Sequence, residues 1–401
     1  MLKEKPSIRI TDIIYAAVIC AITVICYRLF YLMSLEYGGR YLSDMPYYVE
    51  RPTLANKERY RFIGLVFDLI YRLTPGHGIG GMVAFMALMI ALIILANYTY
   101  VKFFTQESAP SRPVIQAASL AGLFMGPMYI PVLHEYFYRN SFQSFAWQSP
   151  TQHAMLFFGI LAVVFFTRMY EESSNGVDPK LWILTMVTAA LSSYSKPAFI
   201  LDMIAAMILI FLIDLFRKSE EPFGEKLKKL VIMGCSLIPA GCFVLLLVKM
   251  EFMGSDHAHQ GGITISLNNI LNDDHLLMGF IAGLAFPLVV WAVNFRLIGN
   301  KRYKLPFWIF IMGVLQWAPF DETGARAGHG NFAWGRETGC YFLFLTAIAI
   351  FINNCKDKDF LKDRPAARKL YFVIASILLI WHLGSQVIFF IMINTGECYY
   401  M

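Results

Sequence analysis

Long apolar stretches separated by short polar loops run along this chain. They cover roughly residues 13–33, 80–101, 114–133, 153–168, 181–195, 198–216, 230–250, 276–295, 305–319, 339–353 and 371–394. Several approach the roughly 20 apolar residues that a helix needs to cross a bilayer core. The pattern predicts an all-α polytopic protein with about 11 spans, and residues 1–401 form a single transmembrane domain.

Composition supports a membrane protein. The chain is 57% hydrophobic and only 15% charged, whereas a soluble domain carries roughly 25% charged residues. In so apolar a chain, the net charge of +6 indicates orientation and contact with anionic membrane lipids rather than nucleic acid. The first apolar stretch has no small-residue cleavage site, so we interpret it as a retained helix.

Basic residues are concentrated in alternate loops. They lie in the N-terminal head and in the segments 102–112, 168–180, 217–229, 296–304 and 356–369. Short loops rich in Lys and Arg stay cytoplasmic. We therefore expect a multi-pass protein of the cell membrane with a cytoplasmic N-terminus and an outer C-terminus, and most of the unusual polar loops then face outward.

The first outer loop, 34–79, contains two features. Polar or small residues recur at helical spacing at Lys57, Arg61, Gly64, Asp68 and Arg72. They predict an amphipathic helix that lies in the membrane interface, although a short imperfect span is the alternative. Earlier in the loop, the Asp44 carboxylate among tyrosines could accept a proton from a hydroxyl, but Ser-Asp before Met-Pro is also ordinary turn chemistry.

This organisation resembles the GT-C superfamily of membrane glycosyltransferases: one span, a long outer loop with an early acidic residue and interfacial helices, then many more spans. The resemblance implies that Asp44 is the catalytic base, with Glu50 as a weaker second acidic residue of the site. It also implies a polyprenyl-phosphate sugar as donor.

The second outer loop, 134–153, mixes aromatic rings with amides, hydroxyls and charges. Such a mixture suits a carbohydrate, since rings cover sugar C–H groups while polar groups distinguish hydroxyls. Glu135, Arg139 and Trp147 are the candidate binding residues. An interfacial aromatic belt is the alternative.

Lys196 lies in a very short outer turn, 192–198, just before Pro197. Its ammonium could bind a phosphate. Snorkelling to the membrane surface is the alternative, and Asp202, about one turn further on, could neutralise the charge.

The outer loop 320–338 is rich in glycine and arginine. Arg326 and Arg336 suit bidentate phosphate contact, because the guanidinium fork matches phosphate oxygens. Glu322 could orient an arginine or bind a sugar hydroxyl, and Asn331 and Trp334 would complete the wall. Salt bridges within the loop are the alternative.

Two further polar groups carry less weight. The run Asp256-His257-Ala258-His259 with Asp273, Asp274 and His275 contains metal-binding residue types, yet its Gly261-Gly262 step is typical of a solvated loop. We assign no metal ligand and no certain cofactor, and a divalent metal stays open. Within the last span, Trp381, His382, Ser385 and Gln386 form a polar patch. A histidine inside the membrane is a functional candidate, but a hydrogen bond between helices explains it as well, and we leave it out of the site.

These residues predict a glycosyltransferase of cell-envelope polysaccharide biosynthesis, with a lipid-linked sugar donor and a glycan or lipid acceptor. An oligosaccharide polymerase that uses lipid-pyrophosphate substrates is the first alternative. A transporter or flippase of lipid-linked glycans is the second, and it would place ionisable groups midway along its helices.

Overall fold

The computed structural model of the protein describes residues 9–35, 41, 43, 45–50, 62–74, 76–131, 142–147, 149–218, 221–252, 261–271, 276–324 and 332–396. The helices are α1 (Ile10–Leu35), α2 (Met45–Glu50), α3 (Phe62–Leu73), α4 (Gly78–Phe104), α5 (Arg112–Ala121), α6 (Pro150–Glu172), α7 (Pro179–Ser195), α8 (Ala198–Phe216), α9 (Phe223–Cys235), α10 (Ile238–Phe252), α11 (Asn268–Leu271), α12 (Leu276–Val293), α13 (Lys304–Trp317), α14 (Ala333–Lys356) and α15 (Pro365–Thr395). Strands β1 (Gly261–Ile265) and β2 (Phe320–Gly324) pair antiparallel, with Ile263 opposite Glu322.

Seven of these helices are long and apolar enough to cross a membrane: α1, α4, α6, α8, α12, α14 and α15. Helices α9 and α10 together form an eighth candidate span that is bent by 48° at its break. The prediction of a polytopic, all-helical membrane protein is confirmed. Each of the 11 apolar stretches overlaps a helix, although α5 and α13 contain only 10 and 14 residues.

Helix α14 forms the centre of the bundle. Every residue from Gly335 to Ile350 is buried, whereas α1 and α15 expose long apolar faces. Helix α13 packs directly against α14. A Cβ on Gly339 would lie 2.7 Å from the Cα of Phe310, and one on Gly313 would lie 2.9 Å from the Arg336 backbone. These glycines therefore allow the two backbones to approach closely.

The predicted span 114–133 is helical only in its first part. After α5 a short 3₁₀ turn ends at Phe124, and residues 125–130 follow without regular structure. The backbone amide of Met128 donates to the carbonyl of Ala282 in α12 (2.8 Å). Side chains of α15 make further hydrogen bonds to this backbone. Three of them donate to carbonyl oxygens: Trp381 Nε1 to Tyr129 (3.0 Å), His382 Nδ1 to Gly126 (2.6 Å) and Gln386 Nε2 to Pro127 (2.9 Å). The hydroxyl of Ser385 accepts a hydrogen bond from the Tyr129 amide (2.9 Å).

Those contacts explain the polar patch within the last apolar stretch. Nδ1 of His382 donates to a carbonyl, so Nε2 is free to accept from the Phe286 amide of α12 (3.3 Å). A non-helical backbone at membrane depth needs partners from the protein around it. The patch therefore serves segment 125–130 and joins α12 to α15.

Ion pairs gather at one end of the bundle, which we call the basic end. Arg302, before α13, pairs with Glu171 of α6 (2.8 Å) and with Glu107 after α4 (3.1 Å). Lys304 pairs with Asp214 near the end of α8 (2.9 Å). Burial acts to lower the pKa of Arg302, but the hydrogen bond and charge of Glu171 raise it overall, so the guanidinium stays charged. The opposite end of the bundle is where α8 and α14 begin and where α13 ends; we call it the site end.

Helix α3 belongs to the predicted amphipathic stretch 57–72. It buries Ile63 and Phe67 and exposes Leu65, Leu69 and Leu73 at helical spacing. Asp68 and Arg72 form an ion pair of 2.9 Å along its flank, while Lys57 and Arg61 lie outside the described residues. An exposed leucine stripe on a partly charged helix is compatible with a place in the membrane interface.

Candidate functional site

The site end brings together four segments that are distant in the sequence. Lys196 and Pro197 connect α7 to α8. Helix α14 begins at Ala333, so Trp334 and Arg336 lie in its first turn. Trp317 ends α13. Segment 142–147 crosses the start of α14, where Gln143 contacts Glu337.

Two cations of this end lie against indole rings. The ammonium of Lys196 lies 3.1 Å from the centroid of the Trp334 ring. The guanidinium of Arg336 lies 4.2 Å from the centroid of Trp317 and 5.3 Å from that of Phe142. Both cations are largely withdrawn from solvent, with exposures of 9% for Lys196 and 4% for Arg336. An aromatic face stabilises a cation without neutralising it, so both side chains are held at this end as charged groups.

Carboxylates lie beside these cations. Oε1 of Glu337 accepts a hydrogen bond from Nε2 of Gln143 (2.8 Å), while Oε2 is buried without a hydrogen-bond partner among the described residues. Arg336 and Lys196 are both close enough to interact electrostatically with this carboxylate. Glu337 is thus only half satisfied by the protein that surrounds it.

Asp202 is the second buried carboxyl group. It is fully inaccessible, and within the described part of the chain neither oxygen has a hydrogen-bond partner. Its side chain lies against Gly335, where a Cβ would collide with Oδ2. Asp202 therefore makes no hydrogen bond to Lys196, and the expected neutralisation of Lys196 through such a contact is wrong. A polar group buried without a partner is costly, which suggests that it serves something other than stability.

Glu322 lies on β2 and is 5% exposed. The turn that leads to it is fixed by Asn269, whose amide donates to the carbonyls of Trp317 and Phe320 (2.9 Å each). The ring of Phe320 lies 5.6 Å from that of Phe332. Strand β2 and the start of α14 are therefore neighbours, which brings Glu322 to the site end.

Trp147 has different surroundings. It is 2% exposed and packs against rings, with centroid distances of 4.7 Å to Phe145, 4.6 Å to Phe390 and 6.1 Å to Phe124. Phe145 in turn lies 6.4 Å from Tyr341 of α14. These contacts anchor segment 142–147 on the bundle, and a sugar-binding role for Trp147 stays a prediction.

Several predicted site residues fall outside the described part of the chain: Asp44, Glu135, Arg139, Arg326 and Asn331. Glu50 ends α2, but its side chain is not described. The histidines and aspartates of the loop to which no metal ligand was assigned also lie outside: Asp256, His257, His259, Asp273, Asp274 and His275. Among the residues that the structure does describe, no three His, Cys, Asp or Glu side chains gather as a metal site requires.

The sequence analysis did not assign four members of the cluster to the site: Gln143, Trp317, Glu337 and Asp202, the last of which it considered only as a neutraliser of Lys196. Gln143 and Trp317 carry no signal of their own, because their importance depends on partners far away in the chain. Asp202 does carry one. A carboxylate inside an apolar helix is a functional candidate by default, and that rule would have singled it out.

Comparison of the chain with protein-family models gives no match, and comparison with curated protein sequences gives none either. The function must therefore be inferred from the chemistry of the cluster at the site end.

Proposed function

We propose that the protein is a membrane glycosyltransferase that moves a sugar from a lipid-phosphate donor to a glycan or lipid acceptor at the site end. One observation carries the proposal: Lys196 and Arg336 are buried on indole rings, next to the incompletely bonded carboxylate Glu337, at one end of a membrane bundle. Buried cations beside aromatic rings and carboxylates are what a phosphosugar on a lipid carrier needs.

The cations bind the phosphate in this scheme. Arg336 offers a planar fork of donors and Lys196 a point charge. Negative charge grows on the phosphate oxygen as the bond to the sugar breaks, and donors fixed in a water-poor site stabilise that charge most. The rings of Trp317 and Trp334 hold the two cations in place and offer apolar surface to the sugar.

A carboxylate removes the proton of the acceptor hydroxyl. The hydroxyl oxygen then bonds to the anomeric carbon, the carbon–oxygen bond to phosphate breaks, and the lipid phosphate leaves. We keep Asp44 as the proposed base, as the GT-C resemblance implies. Glu337 and Asp202 are described carboxyl groups that lie beside the proposed phosphate ligands, and we assign them the positioning of the cations and the acceptor.

The proposal includes a topology. In a GT-C-like arrangement of 11 spans with a cytoplasmic N-terminus, the site end faces outward and the basic end faces the cytoplasm. Two ion pairs support a cytoplasmic basic end, because they hold the basic loops together there. They join Arg302 to Glu171 and Lys304 to Asp214. Short basic loops are retained on the cytoplasmic side.

A transporter of lipid-linked glycans is the second candidate, favoured by the buried carboxyl groups of α8 and α14. Their depth argues against it. Asp202 and Glu337 are each the fifth residue of their helix, which places them roughly 6 Å from the helix start at 1.5 Å per residue. They lie near one membrane surface, as interfacial chemistry requires, rather than midway across.

Product binding tests the proposal without knowledge of the sugar. The purified protein in nanodiscs is titrated with polyprenyl monophosphate, and the shift of the melting temperature is measured. We expect stabilisation by the monophosphate and a loss of affinity of about 10- to 100-fold in Arg336→Gln and Lys196→Gln, because each removes a charge-assisted contact. Arg168→Gln, which alters an exposed ion pair, is the control.

The same titration separates the alternatives. A clear preference for polyprenyl pyrophosphate would favour the polymerase. Equal binding to the wild type and to both site variants would overturn the assignment of these cations.

Transfer itself is assayed with polyprenyl-phosphate hexoses and a membrane-lipid acceptor extract. Full transfer by Asp44→Asn would show that Asp44 is not the base.

A further inference from the structure

A second concave site lies at the basic end, remote from the cluster described above. A cavity of about 200 Å³ opens between the ends of α6 and α8 and the start of α9. Its polar and charged lining residues are Tyr170, Ser173, Asp214, Arg217, Lys218, Glu221, Lys226, Lys229 and Lys301, and its apolar lining residues are Leu230 and Met233.

The cavity carries an excess of positive charge. Its two carboxylates are already engaged, since Asp214 pairs with Lys304 (2.9 Å) and Glu221 with Lys229 (2.6 Å). The remaining cations have no such partner: within the described residues, Arg217, Lys218, Lys226 and Lys301 form no ion pair. The ammonium of Lys226 donates instead to the Arg217 carbonyl (2.6 Å). An anion that enters the cavity would meet several uncompensated positive groups.

Exposed apolar side chains lie on the same helices, α8 and α9, whose ends form this cavity. Phe216, at the end of α8, is 75% exposed, and Phe223, Leu227 and Val231 of α9 are 56%, 42% and 54% exposed. Helix α9 turns Leu230 and Met233 inward, and it is bent by 48° from α10. It thus presents an apolar face outside the cavity and lysines towards it, a pattern typical of helices that lie in a membrane interface.

We propose that this cavity binds the phosphate headgroup of an anionic phospholipid whose acyl chains lie along the exposed apolar residues of α8 and α9. The basic rim recognises the phosphate, and basic pockets between membrane helices on the cytoplasmic side are suited to acidic lipid headgroups. The apolar border selects a lipid over a free phosphate, because only a lipid can cover it. This site is independent of sugar transfer at the other end.

Lipid titration of the purified full-length protein tests the proposal. The protein in neutral detergent at physiological salt is titrated with phosphatidylglycerol, with phosphatidylcholine and with inorganic phosphate, and bound lipid is counted by native mass spectrometry. We expect phosphatidylglycerol to bind at least on the order of tenfold more tightly than phosphatidylcholine. Saturation by inorganic phosphate at the same concentration would mean that the site takes a free phosphate and would overturn the lipid assignment.

A pair of triple variants locates the binding. The test variant changes Arg217, Lys218 and Lys226 to glutamine. The control changes Lys356, Lys358 and Lys362, which are exposed basic residues at and just after the end of α14. The test variant should lose phosphatidylglycerol affinity on the order of tenfold or more, and the control should change less than about twofold. Equal losses would show a diffuse charge effect and contradict the pocket.

The folding of both triple variants is checked by their melting temperature without added lipid. If the test triple unfolds, Lys218→Glu alone replaces it, since Lys218 is exposed and forms no ion pair with the described residues. Unchanged binding in that variant would equally contradict the proposal.

Discussion

Helix α8 carries one aspartate near each end, and their surroundings are opposite. Both oxygens of Asp214 lie 2.9 Å from the ammonium of Lys304, and Tyr170 donates a further hydrogen bond to it. Asp202 is fully buried, and its oxygens have no hydrogen-bond partner among the described residues. The two carboxyl groups are roughly 18 Å apart along the helix at 1.5 Å per residue.

The contrast extends to the two ends of the bundle. At the basic end, ion pairs and hydrogen bonds join α4, α6, α13 and α14, and Asn353 donates to the carbonyl of Phe104 and to the hydroxyl of Tyr303. Thr167 Oγ1 is a buried exception without a partner among the described residues. At the site end, Glu337 keeps one oxygen without a donor in the described part of the chain. Buried polar groups whose hydrogen bonds are complete stabilise a fold. Buried polar groups that lack a hydrogen-bond partner indicate a site at which a ligand can supply it.

The largest expected effect is at Arg302. Arg302→Ala removes charge-assisted hydrogen bonds to Glu171 and Glu107 and leaves Glu171 partly buried without its partner. We expect a loss of about 3 kcal/mol in unfolding free energy, measured by thermal and denaturant unfolding in micelles. Arg168→Ala, in an exposed pair with Glu172, is the control. An Arg302 variant as stable as that control would break the distinction between the ends.

The two aspartates of α8 provide a matched test. Asp214→Asn should destabilise the protein by about 2 kcal/mol. The neutral amide has only one oxygen to accept a hydrogen bond from the Lys304 ammonium, and it carries no charge to pair with it. Asp202→Asn should leave the melting temperature unchanged or raise it, because it removes an ionisable group that the fold does not satisfy, while sugar transfer falls. Equal destabilisation by both changes would show that Asp202 is structural as well.

Alkaline pH probes the basic end further. Burial, the largest cause, raises the pKa of Tyr303 to about 12 from its ordinary value of 10.0. The protonated hydroxyl of Tyr303 therefore contributes to the free energy of unfolding. This contribution is fully present below pH 10 and is lost as the pH rises towards 12, because the tyrosine of the unfolded chain releases its proton at lower pH than that of the folded protein. We expect a loss on the order of 1 kcal/mol by pH 11. Tyr303→Phe should lack this part of the pH dependence, which unfolding at pH 9 and pH 11 would reveal.

The smallest effect on the free energy of unfolding is expected for an exposed ion pair at the basic end. Asp359 and Lys362 lie 3.4 Å apart, with side-chain exposures of 82% and 72%. Asp359→Asn should change the unfolding free energy by less than about 0.5 kcal/mol. A larger loss would mean that position at this end, rather than burial, decides the importance of a pair.

Much of the helical frame could be predicted from the sequence, because crossing a bilayer demands long apolar runs. Where the frame differs, the reason is hydrogen bonding. Hydropathy treats residues 125–130 as membrane-compatible, yet α5 ends at Ala121 and the 3₁₀ turn at Phe124, just before Gly126 and Pro127. The partners of this backbone lie in α12 and α15. The stretch 230–250 likewise conceals the bend between α9 and α10.

The candidate site was partly predictable for a similar reason. Lys196, Trp334 and Arg336 could be found because charge and indole stand out beside apolar helices. Their pairing could not, since the cation–ring contacts with Trp334 and Trp317 depend on how α8, α13 and α14 pack. Gly335 shows this limit best: its lack of a side chain matters only because Asp202 lies opposite.

The irregular segment 125–130 also constrains the order of assembly. Its carbonyls and amides find donors and acceptors on α15, more than 250 residues later in the chain. Until that helix is synthesised, these groups lack their partners and must stay near water rather than in hydrocarbon. A ribosome stalled before Trp381 would therefore leave segment 125–130 without the side chains that complete its hydrogen bonds.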